Sequence, residues 1–194
     1  MKKWLAFLIF FLFFTGNICA EEGKKLEMYV APTFGLGLGF NSYNAIGALA
    51  GADIIFKVWE NNEEAPGKMF SGINVGFEYW APTRSDGFYT AYKRHYFDIP
   101  VTGYFSYEFE VNSGVLKYAG PYIAMGFALV VNYEAWESGS GENVSSNVRF
   151  FAAFAGSLGG QLLFKNNWAF KFGFGWGAGS RNWGSFNLLA EYRF

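Results

Sequence analysis

The sequence has few of the residues that most often carry enzyme or metal chemistry. Its 194 residues include one cysteine, Cys19, and one histidine, His95. A single cysteine excludes an intramolecular disulfide and leaves too few thiolates for a zinc-type site. From these residue types we expect neither a metal site nor a bound cofactor.

Charge is scarce as well. Charged residues make up 16% of the chain, whereas about 25% is usual in soluble domains. The formal net charge is −1 at pH 7. Proteins that bind nucleic acid usually carry a basic surplus, so this composition argues against a nucleic-acid partner.

Long apolar runs are missing beyond the first twenty residues. A membrane helix needs about 20 apolar residues, and the longest candidate, residues 119–131, contains Gly120, Pro121 and Gly126. If the chain lies in a membrane, it must therefore do so as a closed sheet, because only helices and barrels satisfy their backbone hydrogen bonds in lipid.

The first twenty residues predict a secretory signal peptide. Two lysines precede an apolar run at residues 4–14, and Ala20 supplies a small residue at the expected cleavage site. An uncleaved N-terminal anchor is the alternative. Lipoprotein processing before Cys19 is disfavoured, because such sites need a small residue where this chain has Ile18.

Removal of residues 1–20 leaves residues 21–194 as the mature chain. Its length, about 174 residues, fits one domain. The signal peptide takes two lysines with it, so 13 of the 15 Lys and Arg remain against 16 Asp and Glu. The mature chain then has no cysteine.

The mature chain is rich in glycine and aromatic residues, and it alternates with a period of two. From Met69 to Tyr79, one face of an extended chain is mostly apolar and the other is small or polar. This is the pattern of a strand between two different environments. It recurs in eight segments, at residues 26–40, 46–58, 69–79, 94–109, 122–132, 148–162, 168–177 and 186–194.

Polar segments rich in turn residues separate the predicted strands. They lie near residues 41–45, 61–68, 83–91, 110–114, 137–146, 165–167 and 179–184. An even number of strands is typical of bacterial outer-membrane barrels. If both termini face the periplasm, the second, fourth and sixth connections are periplasmic turns.

A soluble lipocalin-like barrel would alternate too, with its apolar face inward. Here the apolar faces are too long and too aromatic for a small lumen, whereas the glycine-rich faces suit a crowded interior. Aromatic residues also mark both rims, such as Trp168 at one and Phe40 at the other. We therefore predict an all-β fold, an antiparallel eight-stranded transmembrane up-and-down β-barrel in the bacterial outer membrane.

Several segments resemble a known group of barrels. RHYFDIPVTGYF (94–105), GPYIAMGFAL (120–129) and GGQLLFKNNWAFKFGFGWG (159–177) are similar to strands and a short-turn hairpin of the opacity-like, OmpA/OmpX/OmpW-type family. The terminal Tyr192-x-Phe194 resembles the signal read by the barrel-assembly machinery, although Leu189 stands where a glycine is common. The family includes adhesins, tethers, narrow channels and lipid-modifying enzymes, so the resemblance implies fold and location rather than function.

The charges on the glycine-bearing face are of both signs, which predicts a lumen plugged by paired charges. A polar path for small solutes is the alternative. With the third hairpin centred on Asp86, Glu78 and Arg94 are expected to lie opposite each other. The inward charged residues are Asp53, Lys57, Glu78, Arg94, Asp98, Glu108, Arg149, Lys171, Glu191 and Arg193.

No catalytic set stands out. Barrels that trim lipid A carry a His-x-Ser pattern on one strand, and here the residues are His95, Tyr96 and Phe97. By strand parity His95 points outward, which favours a histidine among lipid headgroups. The chain is therefore not expected to be an enzyme.

The leading hypothesis is a surface-exposed protein with a structural or interaction role. Its expected partners are outer-membrane lipid, the barrel-assembly machinery and an extracellular partner bound through outer loops. A narrow, porin-like channel for small or hydrophobic solutes is the alternative, and a lipid-modifying barrel enzyme comes third.

Overall fold

The computed structural model describes residues 27–41, 45–61, 67–82, 91–111, 113–137, 143–179 and 182–194. The predicted signal peptide and its cleavage site lie outside these residues. The strands are β1 (Met28–Asn41), β2 (Ala45–Asn61), β3 (Gly67–Pro82), β4 (Ala91–Glu110), β5 (Leu116–Glu137), β6 (Asn143–Phe164), β7 (Trp168–Ala178) and β8 (Trp183–Tyr192).

The eight strands form one closed barrel in which each strand pairs with the next in the chain. β1 closes the ring by pairing antiparallel with β8, for example at Leu36 and Leu188. The predicted eight-stranded up-and-down barrel is confirmed. The described residues contain no helix long and apolar enough to cross a membrane.

The barrel has two distinguishable ends. The terminal end carries the first residue of β1, the last residue of β8 and the connections β2–β3, β4–β5 and β6–β7. The loop end carries the connections β1–β2, β3–β4, β5–β6 and β7–β8.

Side chains alternate between the lumen and the outer surface, and the apolar set points outward. Leu36 is 64% exposed and Phe174 is 55% exposed, whereas their strand neighbours Gly35 and Gly175 face the lumen side. Exposed Leu or Phe side chains lie on every strand except β2, where Ile46 and Ile54 take the outward positions. The apolar face of each strand therefore points outward, as predicted.

The wall is uneven in height at the loop end. β4, β5 and β6 run for 20, 22 and 22 residues, against 11 for β7 and 10 for β8. β7 pairs with β6 only up to Ala178, opposite Phe154. In the described part of the chain, residues 143–153 of β6 therefore have β5 on one side and no strand on the other.

Two prolines interrupt the ladders without ending the strands. Each ladder lacks two consecutive pairs, one of which would involve Pro100 in the β3–β4 ladder and Pro121 in the β4–β5 ladder. Proline has no N–H to donate. Both ladders resume in the same register beyond the gap, so the alternation of faces is kept.

The β6–β7 turn shows why a short connection suffices there. Asn167 has a φ of 66°, in the left-handed region that asparagine tolerates better than most residues. Its N–H donates to the carbonyl of Phe164 at 3.2 Å, and its own carbonyl accepts from the N–H of Arg193 at 3.0 Å. The turn thereby fixes the register of β6 and β7 and also holds the C-terminal residues.

Candidate functional site in the barrel lumen

A cluster of charged side chains fills the lumen towards the terminal end. It consists of two cations and three carboxylates, all at most 5% exposed, so that the charges nearly cancel. We call it the lumen cluster: Asp53, Glu108, Lys171, Glu191 and Arg193. Sequence parity placed all five of these residues in the lumen.

Lys171 is the centre of one half of the cluster. Its ammonium forms ion pairs with Asp53 from β2 and with Glu191 from β8. It also lies 4.3 Å from the ring centre of Tyr104, close enough for a cation–π interaction. A buried ammonium with two carboxylates and an aromatic ring is fully surrounded by partners.

Arg193 is the centre of the other half. Its Nη1 lies 2.6 Å from Oε1 of Glu108, and its Nε lies 2.7 Å from Oε1 of Glu191. Glu191 therefore bridges the two cations, which joins both halves into one network. Such a network stabilises only when every member is paired, because a stranded buried charge is costly.

Neutral side chains complete the cluster. The Tyr104 hydroxyl donates to Oε1 of Gln161 at 2.6 Å, and Nε2 of Gln161 donates to Oε1 of Glu108 at 2.8 Å. Asn74 donates to the Asp53 carboxylate. Tyr104 was not predicted to take part, because only charged residues were assigned to the lumen network, although its even position on β4 marks it as inward.

Small residues make room for these long side chains. Ala31 pairs with Asp53 in the β1–β2 ladder, and Ala169 pairs with Glu191 in the β7–β8 ladder. Both alanines are fully buried. With small neighbours on the wall, Lys171 and Asp53 can meet although β8 and β1 lie between their strands.

Lys57 belongs to a separate group at the terminal rim. Its Nζ lies 2.7 Å from Oε1 of Glu27 and 2.8 Å from Oε2 of Glu60, and Lys68 reaches Glu60 at 2.9 Å. The hydrogen bond from Lys57 lowers the pKa of Glu27. Lys57 was predicted to belong to the charge network of the lumen, but its ion pairs are with Glu27 and Glu60 at the terminal rim and not with the lumen cluster.

The predicted Glu78–Arg94 pairing is also wrong. In the β3–β4 ladder Glu78 lies opposite Asp98, and the backbone of Arg94 pairs with Glu134 of β5. The ladder is centred two residues beyond Asp86, at the midpoint of Glu78 and Asp98. The side chain of Arg94 lies outside the described residues.

Arg149 has inward parity but does not plug the lumen. Its side chain is 57% exposed, and Nη2 lies 3.9 Å from Oε2 of Glu134. It stands on the part of β6 that extends beyond the end of β7. Because no strand of the described chain lies beside this part of β6 on the β7 side, the side chain of Arg149 faces solvent there.

A layer of aromatic and aliphatic side chains crosses the lumen nearer the loop end. The indole of Trp80 covers Gly37 and Gly47, where an added Cβ would lie 2.6 and 2.5 Å from the ring. The largest buried members of this layer are Leu49, Trp80, Tyr96 and Trp183. Trp80 and Trp183 were not predicted to lie in the lumen, because the predicted third strand ended at residue 79 and the predicted eighth strand began at residue 186.

A cavity of about 90 Å³ lies between the lumen cluster and this aromatic layer. Asp53 and Lys171 line it on one side, and Leu49 and Trp183 line it on the other. Glu78, Asp98 and Asn187 contribute to its wall. A cavity of this size with some polar groups in its wall has room for several water molecules.

His95 lies on the outer surface, as predicted. Its Nδ1 is 2.7 Å from the hydroxyl of Tyr79, and the two rings stack with centres 5.8 Å apart. Phe97 and Tyr133 pack nearby. No serine takes part in these contacts. Among the described residues, no group of three or more His, Cys, Asp or Glu could hold a metal ion.

The predicted assembly signal lies at the terminal rim. The ring of Tyr192 contacts the rings of Trp168 and Phe194 at 5.2 and 4.9 Å, and the N–H of Phe194 donates to the carbonyl of Val30 at 3.2 Å. Phe194 thus extends the pairing of the chain end with β1, and its side chain is 74% exposed.

No protein-family model and no curated protein matches the chain. Several solved structures are similar to it. The attachment invasion locus protein Ail of Yersinia pestis has 16% identity and a TM-score of 0.47, with 88% of this chain and 100% of that chain covered. Neisserial surface protein A has 13% identity, a TM-score of 0.49 and the same coverage. The outer membrane enzyme PagL has 17% identity, a TM-score of 0.43 and coverage of 84% and 98%. All three are small eight-stranded outer-membrane β-barrel proteins, the type of protein that the sequence segments resembled.

Proposed function

We propose that the chain is an outer-membrane barrel that acts through its surface, in a structural or interaction role, and that its lumen does not conduct. The observation that carries this proposal is the lumen cluster, in which Lys171 and Arg193 are buried against three carboxylates. A solute would have to break these ion pairs to pass, at a cost of several kcal/mol for each stranded charge.

The outer surface supports a membrane location. Outward residues such as Phe34, Leu38 and Leu188 are each more than half exposed. Monomeric soluble proteins rarely expose a contiguous apolar band of this kind, whereas a transmembrane barrel needs one. In this proposal residues 1–20 are the signal peptide that directs export, residues 21–194 are the barrel, both termini are periplasmic, and Tyr192 and Phe194 are read by the assembly machinery.

The tall wall of β4, β5 and β6 supports a role at the cell surface. With the terminal end in the periplasm, this wall projects outward beyond the membrane. On the side of β6 away from β5, the backbone groups of residues 143–153 pair with no strand of the described chain. An open strand edge is a recurrent binding element for extended segments of other proteins.

The orientation can be tested with single cysteines, because the mature chain is expected to contain none. Ser146 lies on the extended part of β6, and Lys165 lies in the β6–β7 turn; both are exposed. We expect Ser146→Cys to react with a membrane-impermeant maleimide on intact cells, and Lys165→Cys to react only after the outer membrane is permeabilised. The reverse pattern would invert the proposed topology, and no labelling of either on intact cells would remove the surface role.

A narrow channel is the second candidate, and the cavity beside Asn187 is the observation that favours it. The cavity would form one part of a solute pathway, and a rearrangement of the lumen cluster would be needed to open the remainder. We do not propose an enzyme. The ring of His95 contacts the phenol of Tyr79, whereas a hydrolytic triad needs an activated nucleophile next to the histidine.

A further inference from the structure

The free edge of β6 presents its backbone groups in a fixed order. A β-carbon added to Gly173 of β7 would lie against the carbonyl oxygen of Leu158, and one added to Gly179 would lie 3.2 Å from the carbonyl oxygen of Ala152. The carbonyls of even-numbered residues of β6 therefore point to the β7 side. Backbone groups of successive residues alternate between the two sides of a strand. The residues that direct their N–H and C=O groups to the open side are thus Ser146, Val148 and Phe150.

The side chains at this edge differ between its two faces. Residues 145–150 are all exposed. Val148 and Phe150 lie on the outer face, and Phe150 is 69% exposed. Arg149 lies between them on the inner face, where its contact with Glu134 at 3.9 Å is longer than a hydrogen bond. The edge therefore combines unpaired backbone groups with two apolar side chains on one face and an exposed guanidinium on the other.

These features define the segment that would complement the edge. A chain that pairs antiparallel with it places the residues opposite Val148 and Phe150 on the outer face and the residue between those two on the inner face, opposite Arg149. Apolar pairs and pairs of opposite charge stabilise neighbouring strands, whereas like charges directly opposite each other destabilise them. The complementary segment is therefore extended and carries an acidic residue between two apolar ones.

A second copy of this chain fits the edge less well. Antiparallel pairing of two β6 edges that brings Val148 against Phe150 also brings Arg149 against Arg149, which is unfavourable. Residues 143–151 contain no acidic residue that could pair with Arg149 in another register. The charge at the edge thus favours a different protein as the occupant.

We propose that the free edge of β6 binds a strand-forming segment of another protein, in which an acidic residue lies between two apolar residues, and adds it to the sheet as a further strand. Main-chain hydrogen bonds to Val148 and Phe150 supply affinity in this arrangement, as is general for strand addition. Arg149 selects the acidic residue, because a guanidinium matches the geometry of a carboxylate. This inference rests on the surface role proposed above and specifies the kind of partner.

The test uses the refolded mature barrel in detergent and two short fluorescent peptides that differ at one position. Their central residues are Val-Glu-Val in one and Val-Lys-Val in the other, and binding is followed by fluorescence anisotropy. We expect the wild-type barrel to prefer the glutamate peptide. Arg149→Glu should reverse this preference, with a change of roughly fivefold or more in relative affinity, because it exchanges opposite charges for like charges. Lys165→Glu makes the same change of charge at an exposed position in the β6–β7 turn and should keep the wild-type preference.

N-methylation of the glutamate peptide separates strand addition from attraction between charges alone. The N–H groups of the two valines face β6 in the proposed pairing, whereas the N–H of the glutamate points away. N-methylation of either valine should therefore abolish binding, and N-methylation of the glutamate should leave it unchanged.

Equal binding of the two peptides, a preference that Arg149→Glu leaves unchanged, or binding that tolerates N-methylated valines would each overturn the proposal. Dimerisation of the wild-type barrel that Phe150→Ser abolishes would also overturn it, because the edge would then belong to a second copy. If Arg149→Glu does not refold, Arg149→Gln replaces it and should bind both peptides equally. Labelling of Ser146→Cys on intact cells tests the surface role separately, so the partner proposal and the surface role can fail independently.

Discussion

Nη1 of Arg193 lies 2.6 Å from Oε1 of Glu108, so the last residue but one of the chain is joined to β4 across the lumen. Arg193 also contacts Glu191, and its backbone N–H bonds to the β6–β7 turn at Asn167. Arg193 thereby links the closing strand and the far wall through its side chain and the β6–β7 turn through its backbone. Filling of the lumen and closure of the barrel depend on the same residues.

The first prediction concerns Lys171. Lys171→Met should destabilise the barrel by about 3–5 kcal/mol, because it leaves the buried Asp53 carboxylate without a cation. The double variant with Asp53→Asn should cost less than the single variant, since Glu191 keeps Arg193 as a partner. The unfolding free energies of the single and the double variant can be measured by denaturant titration in vesicles, with the gel mobility of unheated samples as the readout.

Lys57 provides the matched control for that experiment. Its ion pairs with Glu27 and Glu60 lie at the partly exposed rim, where such pairs contribute about 1 kcal/mol or less. Lys57→Met should therefore have a small effect. Equal losses from Lys57→Met and Lys171→Met would show that the lumen cluster is not a dehydrated network.

The second prediction concerns depth in the membrane. Leu188 lies near the middle of β8, opposite Leu36 and Phe172, and is 55% exposed. Arginine at the bilayer midplane of a barrel costs about 2–4 kcal/mol, falling to about 0–1 kcal/mol near the interfaces. Leu188→Arg should therefore destabilise far more than Met28→Arg at the terminal rim. Equal effects of the two changes in vesicle unfolding would contradict the outward assignment of the apolar face.

The third prediction concerns the aromatic layer. Gly47→Ala would place a methyl group about 2.5 Å from the Trp80 ring, so the ring must move. Overpacking of this kind costs about 1–3 kcal/mol, and it should also shift the tryptophan emission. The control is Gly114→Ala, where an added Cβ meets nothing within 4 Å. An unchanged stability and emission in Gly47→Ala would mean that Trp80 does not lie across the lumen there.

Much of the fold follows from the period-two alternation, because that pattern fixes both the number of strands and the face of each side chain. It placed Asp53, Lys171, Glu191 and Arg193 in the lumen correctly. It does not fix height along the barrel axis, which depends on register and stagger. The placement of Glu78 opposite Arg94 failed for this reason: the centre of the hairpin lies two residues further on, which moves every partner by four residues and keeps every side chain on its face.

The aromatic residues of the lumen show a second limit. Tyr104 and Trp80 have inward parity. Because most aromatic residues of the chain fit the apolar outer face, these two were not predicted to fill the lumen. Their inward positions depend on glycines on other strands, such as Gly37 and Gly47 beneath Trp80. Contacts between strands distant in sequence are not visible in a one-dimensional pattern. Arg149 was misjudged for a related reason, because the end of β7 determines whether its position faces a lumen or solvent.

The proposal that the lumen does not conduct can be tested by recording the single-channel conductance of the refolded wild-type barrel in a planar bilayer. The lumen cluster and the aromatic layer close the bore at two levels, through Lys171 and Trp80 respectively. We expect no steady open state, with rare brief openings at most. A stable open channel of the wild-type protein would contradict the plugged lumen and would favour the narrow-channel function instead.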